Sequence, residues 1–158
     1  MATITLRPVD PERDREFLLR VYGESRDDVQ RLVDWTPEQK QAFVASQFAL
    51  QDAYYREHFP AASFDVIEVD GDAAGRLYVD RRDDEIRVID IALLRAFRRR
   101  GVGSHFLRAL LDEAGASDRT VTIHVEQDNP ALGLYEQLGF RRQGEVGIHW
   151  FMEWRPGT

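Results

Sequence analysis

The spacing of apolar residues constrains the fold most, because it switches repeatedly between the two-residue repeat of strands and the longer repeat of helices. In chain order the pattern predicts β, α, α, β, β, β, α, β, α, β, β. Turn-forming residues separate these segments, and no repeat, low-complexity tract or linker interrupts them. We therefore expect one mixed α/β domain over residues 1–158.

The predicted segments have stated bounds, and the stretch 27–34 stays unassigned. The predicted strands are Thr3–Val9, Ser63–Val69, Ala73–Asp80, Ile86–Leu93, Thr120–Val125, Phe140–Val146 and Ile148–Trp154. One helix starts near Asp10, and the others are Thr36 to about Pro60, Gly103–Ala114 and Pro130–Leu138. The residues expected at helix ends are Thr36, Asn129, Pro130, Gly115 and Gly139.

The composition excludes several classes of function. The chain has 158 residues and a formal net charge of −7, so it lacks the positive potential that nonspecific binding to nucleic acid or an anionic membrane needs. Cysteine is absent, which excludes disulfides and cysteine nucleophiles, and no histidine pair has metal-ligand spacing. With no signal-peptide pattern and no apolar run of roughly 18 residues, we expect a cytoplasmic protein without a bound metal.

One segment carries a phosphate-binding pattern. Ile89–Ser104 combines a buried strand, a loop with two glycines and the start of an amphipathic helix. The first N–H groups of a helix have no intrahelical acceptor, and the helix dipole adds positive potential at the same place. Glycine lets a ligand approach the backbone, and Arg98, Arg99 and Arg100 add charge that pairs with phosphate. The segment therefore predicts a diphosphate site.

Two common phosphate loops do not fit this segment. A Walker loop requires a lysine that is absent here, and the dinucleotide fingerprint requires a third glycine where Phe106 stands. The pattern Arg98-Arg99-Arg100-Gly101-Val102-Gly103 instead resembles the coenzyme A pyrophosphate loop of the GNAT N-acetyltransferase superfamily. Downstream, Asn129-Pro130-Ala131, Leu134-Tyr135 and Leu138-Gly139-Phe140 resemble the second signature of that family, in its usual order and separation.

This resemblance implies an α/β (α+β) GNAT fold, in which a central mixed, mostly antiparallel sheet of about seven strands is flanked by helices and splayed between the fourth and fifth strands. It implies acetyl-CoA as cosubstrate, with the pantetheine arm paired like an extra strand beside the splay. The N–H of Leu93 or of Leu94 would polarise the thioester carbonyl. The matching coenzyme-binding positions are Ala92, Leu93, Leu94, Arg98, Arg99, Arg100, Gly101, Val102, Gly103, Ser104, Asn129 and Tyr135. Ser104 is expected to cap the helix, to contact phosphate, or both.

The resemblance also implies catalytic roles. Tyr135 matches the tyrosine that serves the leaving thiolate as an acid or hydrogen-bond donor. His124 stands five residues before the asparagine of the second signature, where some members carry the base for the amine. Arg87 occupies the position of another usual base, a glutamate, and this departure removes that candidate. Three alternatives stay open. Glu126 could act as a partner of His124 or contact a cationic substrate, Asp90 could be the base, or the reaction could need no base at all.

The function implied is transfer of the acetyl group of acetyl-CoA to a primary amine of a small molecule or peptide. Since the chain has no cysteine, we expect direct attack in a ternary complex rather than a cysteinyl intermediate. The alternative is a catalytically silent acyl-CoA-binding regulatory module of the same fold. The acidic balance favours a cationic amine. The sequence fits two arrangements of the predicted strand Ile148–Trp154 equally well: it could pair with a second copy in a homodimer, or be a buried edge within a monomer.

Overall fold

The computed structural model describes residues 2–26, 31 and 33–157, and it confirms the predicted order of strands and helices. The strands in this part of the chain are β1 (Ile4–Pro8), β2 (Ser63–Val69), β3 (Asp72–Arg81), β4 (Glu85–Leu93), β5 (Thr120–Glu126), β6 (Arg141–Val146) and β7 (His149–Trp154). The helices are α1 (Arg15–Ser25), α2 (Pro37–His58), α3 (Val102–Ala116) and α4 (Leu132–Gln137), with a 3-10 turn at Arg95–Phe97. Residues 27–30 and 32 of the unassigned stretch lie outside the described residues.

The strands form one seven-stranded sheet in the order β1-β2-β3-β4-β5-β7-β6. The β1–β2, β5–β7 and β6–β7 pairs are antiparallel, whereas β4 and β5 run parallel. The parallel pairing joins Glu85–Val88 to Thr120–Ile123, although β4 continues to Leu93 and β5 to Glu126. The ladder therefore ends while both strands continue, which confirms the mixed sheet splayed between its fourth and fifth strands.

The chain forms two compact units, each with its own packing. The first comprises Met1–Leu77 and Ala92–Arg98, and the second comprises Tyr78–Ile91 and Arg99–Thr158. A single domain over residues 1–158 stays a prediction. Within the described part of the chain, no helix is both long and apolar enough to cross a membrane.

In the first unit, α1 packs against α2 through an apolar core. The buried residues that form this core are Leu18, Tyr22, Val44 and Phe48. The second helix begins where the sequence predicts, because the Thr36 hydroxyl accepts a hydrogen bond from the N–H of Gln39, while the Gln39 side chain accepts one from the N–H of Thr36. This capping box satisfies donors that would otherwise have no partner at the helix start.

In the second unit, α3 lies against β5 and buries the predicted apolar stripe. The members of that stripe are Phe106, Leu107, Leu110, Leu111 and Ala114. On β5 the buried side chains of Val121, Ile123 and Val125 alternate along one face of the strand, as the two-residue repeat requires. The core of this unit therefore fixes where α3 begins, and with it the glycine loop that precedes the helix.

Two predicted helix ends can be compared in the second unit. The C-cap of α3 is not Gly115 but Ser117, because the Ser117 N–H donates to the carbonyls of Glu113 and Ala114 and its hydroxyl donates to that of Glu113. The helix therefore continues past the glycine. Gly139 is confirmed at the position after the C-cap of α4, where its φ of +104° lies in the region that favours glycine.

The predicted start of α4 is two residues too early. Its N-cap is Ala131 rather than Asn129, so Pro130 is not its first residue. The reason is a turn closed by Asn129, whose side-chain oxygen accepts from the Ala131 N–H at 2.8 Å and whose own N–H donates to the Glu126 carbonyl at 2.9 Å. A side chain that bonds two residues ahead offers the backbone an alternative to the helix.

Candidate active site

The end of β4, in the first unit, has a firmly held backbone. The N–H of Leu94 donates to the Ala74 carbonyl at 2.8 Å, and the Leu94 carbonyl accepts from the Phe97 N–H at 2.9 Å. The Leu93 carbonyl accepts from Nε of Arg98 at 3.0 Å. Successive residues of a strand direct their N–H groups to opposite edges, so the N–H of Leu93 faces away from β3. Of the two predicted thioester donors, Leu94 is already engaged, and Leu93 presents its N–H to the open edge.

Close contact between β3 and the end of β4 depends on Gly75, which was not among the predicted site residues. A Cβ atom at this position would lie 2.2 Å from the Ala92 carbonyl oxygen and 2.8 Å from Cδ2 of Leu93. Both distances are far below van der Waals contact, so a side chain here would displace the strand end. A glycine inside an apolar strand pattern is a known sign of close backbone approach, and the sequence contained that sign.

The start of α3, in the second unit, offers free backbone donors. Its N-cap is Gly101, with φ +79°, and no side-chain hydrogen bond caps the helix. Of the two roles left open for Ser104, capping is therefore not observed, and contact with phosphate stays a prediction. The first intrahelical bond runs from the His105 N–H to the Gly101 carbonyl at 2.9 Å. The N–H groups of Val102, Gly103 and Ser104 precede that bond and have no acceptor within the helix. Together with the helix dipole they form a place for an anion.

The loop before α3 leaves room for such an anion. Beyond its chain neighbours and the backbone of its own helix, a Cβ atom on Gly103 would meet no atom within 4 Å, so tertiary packing does not require glycine at this position. Arg99 has a φ of +62°, in the left-handed region, and follows Arg98, whose backbone is extended. The side chains of Arg99 and Arg100 are exposed. This donor set and its positive charge fit a pyrophosphate.

Tyr135 is the buried acid candidate of the second unit. Burial, and to a lesser extent the negative charge of Asp90, raise the pKa of its hydroxyl to about 12. Its ring packs edge-on against Phe140, with the ring centroids 5.8 Å apart. None of the described residues hydrogen-bonds to the hydroxyl. Tyr135 is therefore a neutral donor at physiological pH, and its hydroxyl has no described acceptor to compete with a ligand.

His124 has the properties of a base. His124 is exposed on β5, but partial desolvation lowers its pKa below the ordinary histidine value, and the positive charges of Arg87 and His149 lower it further. Its ring meets the edge of the Phe151 ring on β7, with centroids 5.5 Å apart. At neutral pH the imidazole is therefore uncharged and able to accept a proton. In the described part of the chain, no hydrogen bond, ion pair or ring contact joins His124 to Tyr135.

A second histidine accompanies His124. Nε2 of His149 lies 4.0 Å from Oε1 of Glu126, its partner in the register of β5 and β7. Glu126, expected beside His124, therefore has His149 as a close neighbour. No spacing in the sequence links His149 to β5, because the proximity comes from strand pairing alone. Within the described residues, no group of three or more His, Asp or Glu could hold a metal ion.

Comparisons with known proteins agree with this geometry. The family model described as Acetyltransferase (GNAT) family matches residues 29–140. PaiA N-acetyltransferase from Thermoplasma acidophilum, in complex with coenzyme A, has a TM-score of 0.70 at 16% identity, covering 97% of this chain and 99% of that one. An acetyltransferase from Thermus thermophilus has a TM-score of 0.70 at 19% sequence identity, and the match covers 97% of both chains. Ard1 from Thermoplasma volcanium has a TM-score of 0.65 at 22% sequence identity, and the match covers 98% of this chain and 99% of that one. A comparison with curated proteins finds no match.

Proposed function

Because the chain belongs to the acetyltransferase (GNAT) family, we propose that it transfers the acetyl group of acetyl-CoA to the primary amine of a small molecule or peptide. The observation that carries this proposal is the splay of the sheet after the Val88–Ile123 pair, which leaves the rest of β4 without β5 as a neighbour. An unpaired strand edge offers N–H and C=O groups to an extended ligand. The pantetheine arm of acetyl-CoA is such a ligand.

The end of β4 supplies the electrostatic part of the mechanism. Ala92, Leu93 and Leu94 would line the arm, and the N–H of Leu93 would donate to the thioester oxygen. A fixed donor aimed at developing negative charge lowers a reaction barrier because it needs no reorganisation during the reaction. The Leu93 N–H belongs to the Ala92–Leu93 peptide, and hydrogen bonds on both sides of the next peptide, Leu93–Leu94, restrain the residue that carries this donor.

The glycine loop would hold the pyrophosphate. Arg98, Arg99 and Arg100 would contribute charge, and the N–H groups from Gly101 to Ser104 would contribute directed donors. Asn129 would meet the coenzyme through its amide nitrogen, because its side-chain oxygen already binds Ala131. These contacts would position the thioester and leave its carbonyl carbon open to attack by the acceptor amine.

Tyr135 would stabilise the leaving thiolate by a hydrogen bond. Its pKa of about 12 lies far above the value of about 8.5 for a thiol, so complete proton transfer would be uphill by about 5 kcal/mol. Donation without complete transfer still stabilises the thiolate, which then takes its proton from water. His124 would remove the proton that the amine nitrogen loses when the new C–N bond forms and the C–S bond breaks.

The experiment is an acetyl-transfer assay with a panel of amines and detection of the released thiol. We expect Tyr135→Phe to lower kcat at least tenfold, with little change in coenzyme affinity, while Tyr54→Phe, on an exposed tyrosine of α2, retains full rate. We expect His124→Gln to abolish the acidic limb of kcat/KM, which in the wild type should lie below pH 6.5 because the pKa of His124 is lowered.

Two outcomes would contradict the proposal. Coenzyme A binding in calorimetry without transfer to any amine would establish the silent regulatory module instead. Absence of coenzyme A binding would remove both functions. If the acidic limb of kcat/KM persists in His124→Gln, a group other than His124 acts as the base.

A further inference from the structure

Glu24, near the end of α1, contacts the turn that follows β4. Its Oε1 accepts a hydrogen bond from the backbone N–H of Arg95 at 2.6 Å, across 71 positions of the sequence. Its other oxygen, Oε2, accepts from Nε of Arg20 at 3.3 Å. Both contacts lie in the first unit, and no pattern in the sequence associates Glu24 with the coenzyme-binding segment.

The contact with Arg95 completes the restraint of two successive peptide groups. The Leu93–Leu94 peptide is held by the Ala74 carbonyl on one side and by Arg98 on the other. The Leu94–Arg95 peptide is held by the Phe97 N–H on its carbonyl side, and by Glu24 on its N–H side. Without Glu24 the second peptide would lose one of its two restraints. Rotation of that peptide would be transmitted through the Leu93–Leu94 peptide to Leu93, whose N–H lies in the peptide before it.

We propose that Glu24 is a positioning residue for acetyl transfer, acting through the Arg95 N–H to hold the end of β4 so that the Leu93 N–H is aimed at the thioester oxygen. This inference rests on the function proposed above. A carboxylate suits the role because hydrogen bonds to charged acceptors are shorter and stronger than neutral ones. The Glu24 side chain is 19% exposed, whereas Arg95 and the hydrogen bond between them lie at the exposed surface.

The surroundings of Glu24 make the role open to chemical rescue. Glu24 borders an open groove of about 670 Å³ between α1 and the start of α2. Truncation to alanine would leave a space connected to this groove, which a formate ion could enter to accept from the Arg95 N–H. Glu16 lines the same groove earlier on α1 and has no ion pair or hydrogen bond with another described side chain. It therefore provides a matched control for loss of a carboxylate.

The test compares Glu24→Ala, Glu24→Gln and Glu16→Ala. We expect kcat of Glu24→Ala to fall about ten- to hundredfold, because a misaligned Leu93 N–H would weaken the hydrogen bond that stabilises the charge developing on the thioester oxygen. Its dissociation constant for coenzyme A should change less than threefold, because the pyrophosphate donors lie on another loop. Glu24→Gln keeps an acceptor oxygen and should retain kcat within about threefold. Formate should raise kcat of Glu24→Ala alone, and Glu16→Ala should match the wild type.

The hydrogen bond between Glu24 and the Arg95 N–H can also be detected without measuring acetyl transfer. In an amide NMR spectrum of the free protein, the Arg95 proton should lie downfield in the wild type and in Glu24→Gln, and should move upfield in Glu24→Ala. A wild-type kcat in Glu24→Ala would overturn the inference. An equal loss of kcat in Glu24→Gln and Glu24→Ala, with no rescue by formate, would also overturn it. If the wild type transfers no acetyl group, the proposed function fails and the positioning role fails with it, whereas the NMR result still reports on the contact itself.

Discussion

Substitution of Gly103 by alanine separates coenzyme binding from folding. Beyond the chain neighbours and the backbone of its own helix, the new methyl group would meet no atom within 4 Å, so it should cause no steric strain in the free protein. Alanine in place of glycine in a helix stabilises it by up to about 1 kcal/mol, which for a chain of this length corresponds to about 2–4 °C in Tm. The same methyl would stand where the pyrophosphate must approach the first turn of α3. Loss of one hydrogen bond to a charged phosphate costs about 1.5–3 kcal/mol, so coenzyme A should bind about 10- to 140-fold more weakly.

Gly115→Ala is the matched control, because it makes the same change at the opposite end of the same helix. A Cβ atom there would lie 3.7 Å from Cη2 of Trp154, an ordinary contact, and should leave coenzyme binding unchanged. The assay is calorimetric titration with coenzyme A, with thermal unfolding of the same samples. Wild-type affinity in Gly103→Ala would refute the assignment of the pyrophosphate to the start of α3. A large drop in Tm would refute the claim that the space is empty in the free protein.

Two further substitutions test the first unit. Gly75→Ala should lower stability by about 1–3 kcal/mol and weaken acetyl-CoA binding, because the Ala92 carbonyl must move by about 1 Å to relieve the overlap; unchanged unfolding and binding would rule out the close approach. Asp14 accepts two hydrogen bonds from the Arg7 guanidinium, each of 2.8 Å, and these chiefly lower its pKa. Its charge therefore stabilises the fold above its ordinary pKa of about 3.9, and that contribution is lost as pH falls through the lowered value. Asp14→Asn should cost about 1–3 kcal/mol at pH 7 and progressively less below pH 4, measured by urea unfolding; a difference independent of pH would contradict this reading.

The features that could be predicted from the sequence are those encoded by neighbouring residues. The Thr36–Gln39 capping box and the apolar stripe of α3 each lie within a few turns of one helix, so local spacing was sufficient. Where two local preferences compete, the prediction was wrong. The Asn129 side chain closes a turn instead of capping α4, and Gly115 is accommodated within α3 because the helix continues beyond it to Ala116.

The candidate site depends on contacts between distant parts of the chain, and this is why it could be predicted only in part. The glycines and arginines before α3 act through their own backbone and charge, and the sequence displays both. Whether Leu93 or Leu94 offers its N–H depends instead on which strand edge each one faces, and that is set by the bond from Leu94 to Ala74 on the neighbouring strand. The contact between Glu24 and Arg95 spans 71 positions, and no periodicity in a single chain records such a pairing. A residue that only orients a neighbour's backbone needs no motif of its own, so Glu24 could emerge only from the three-dimensional structure.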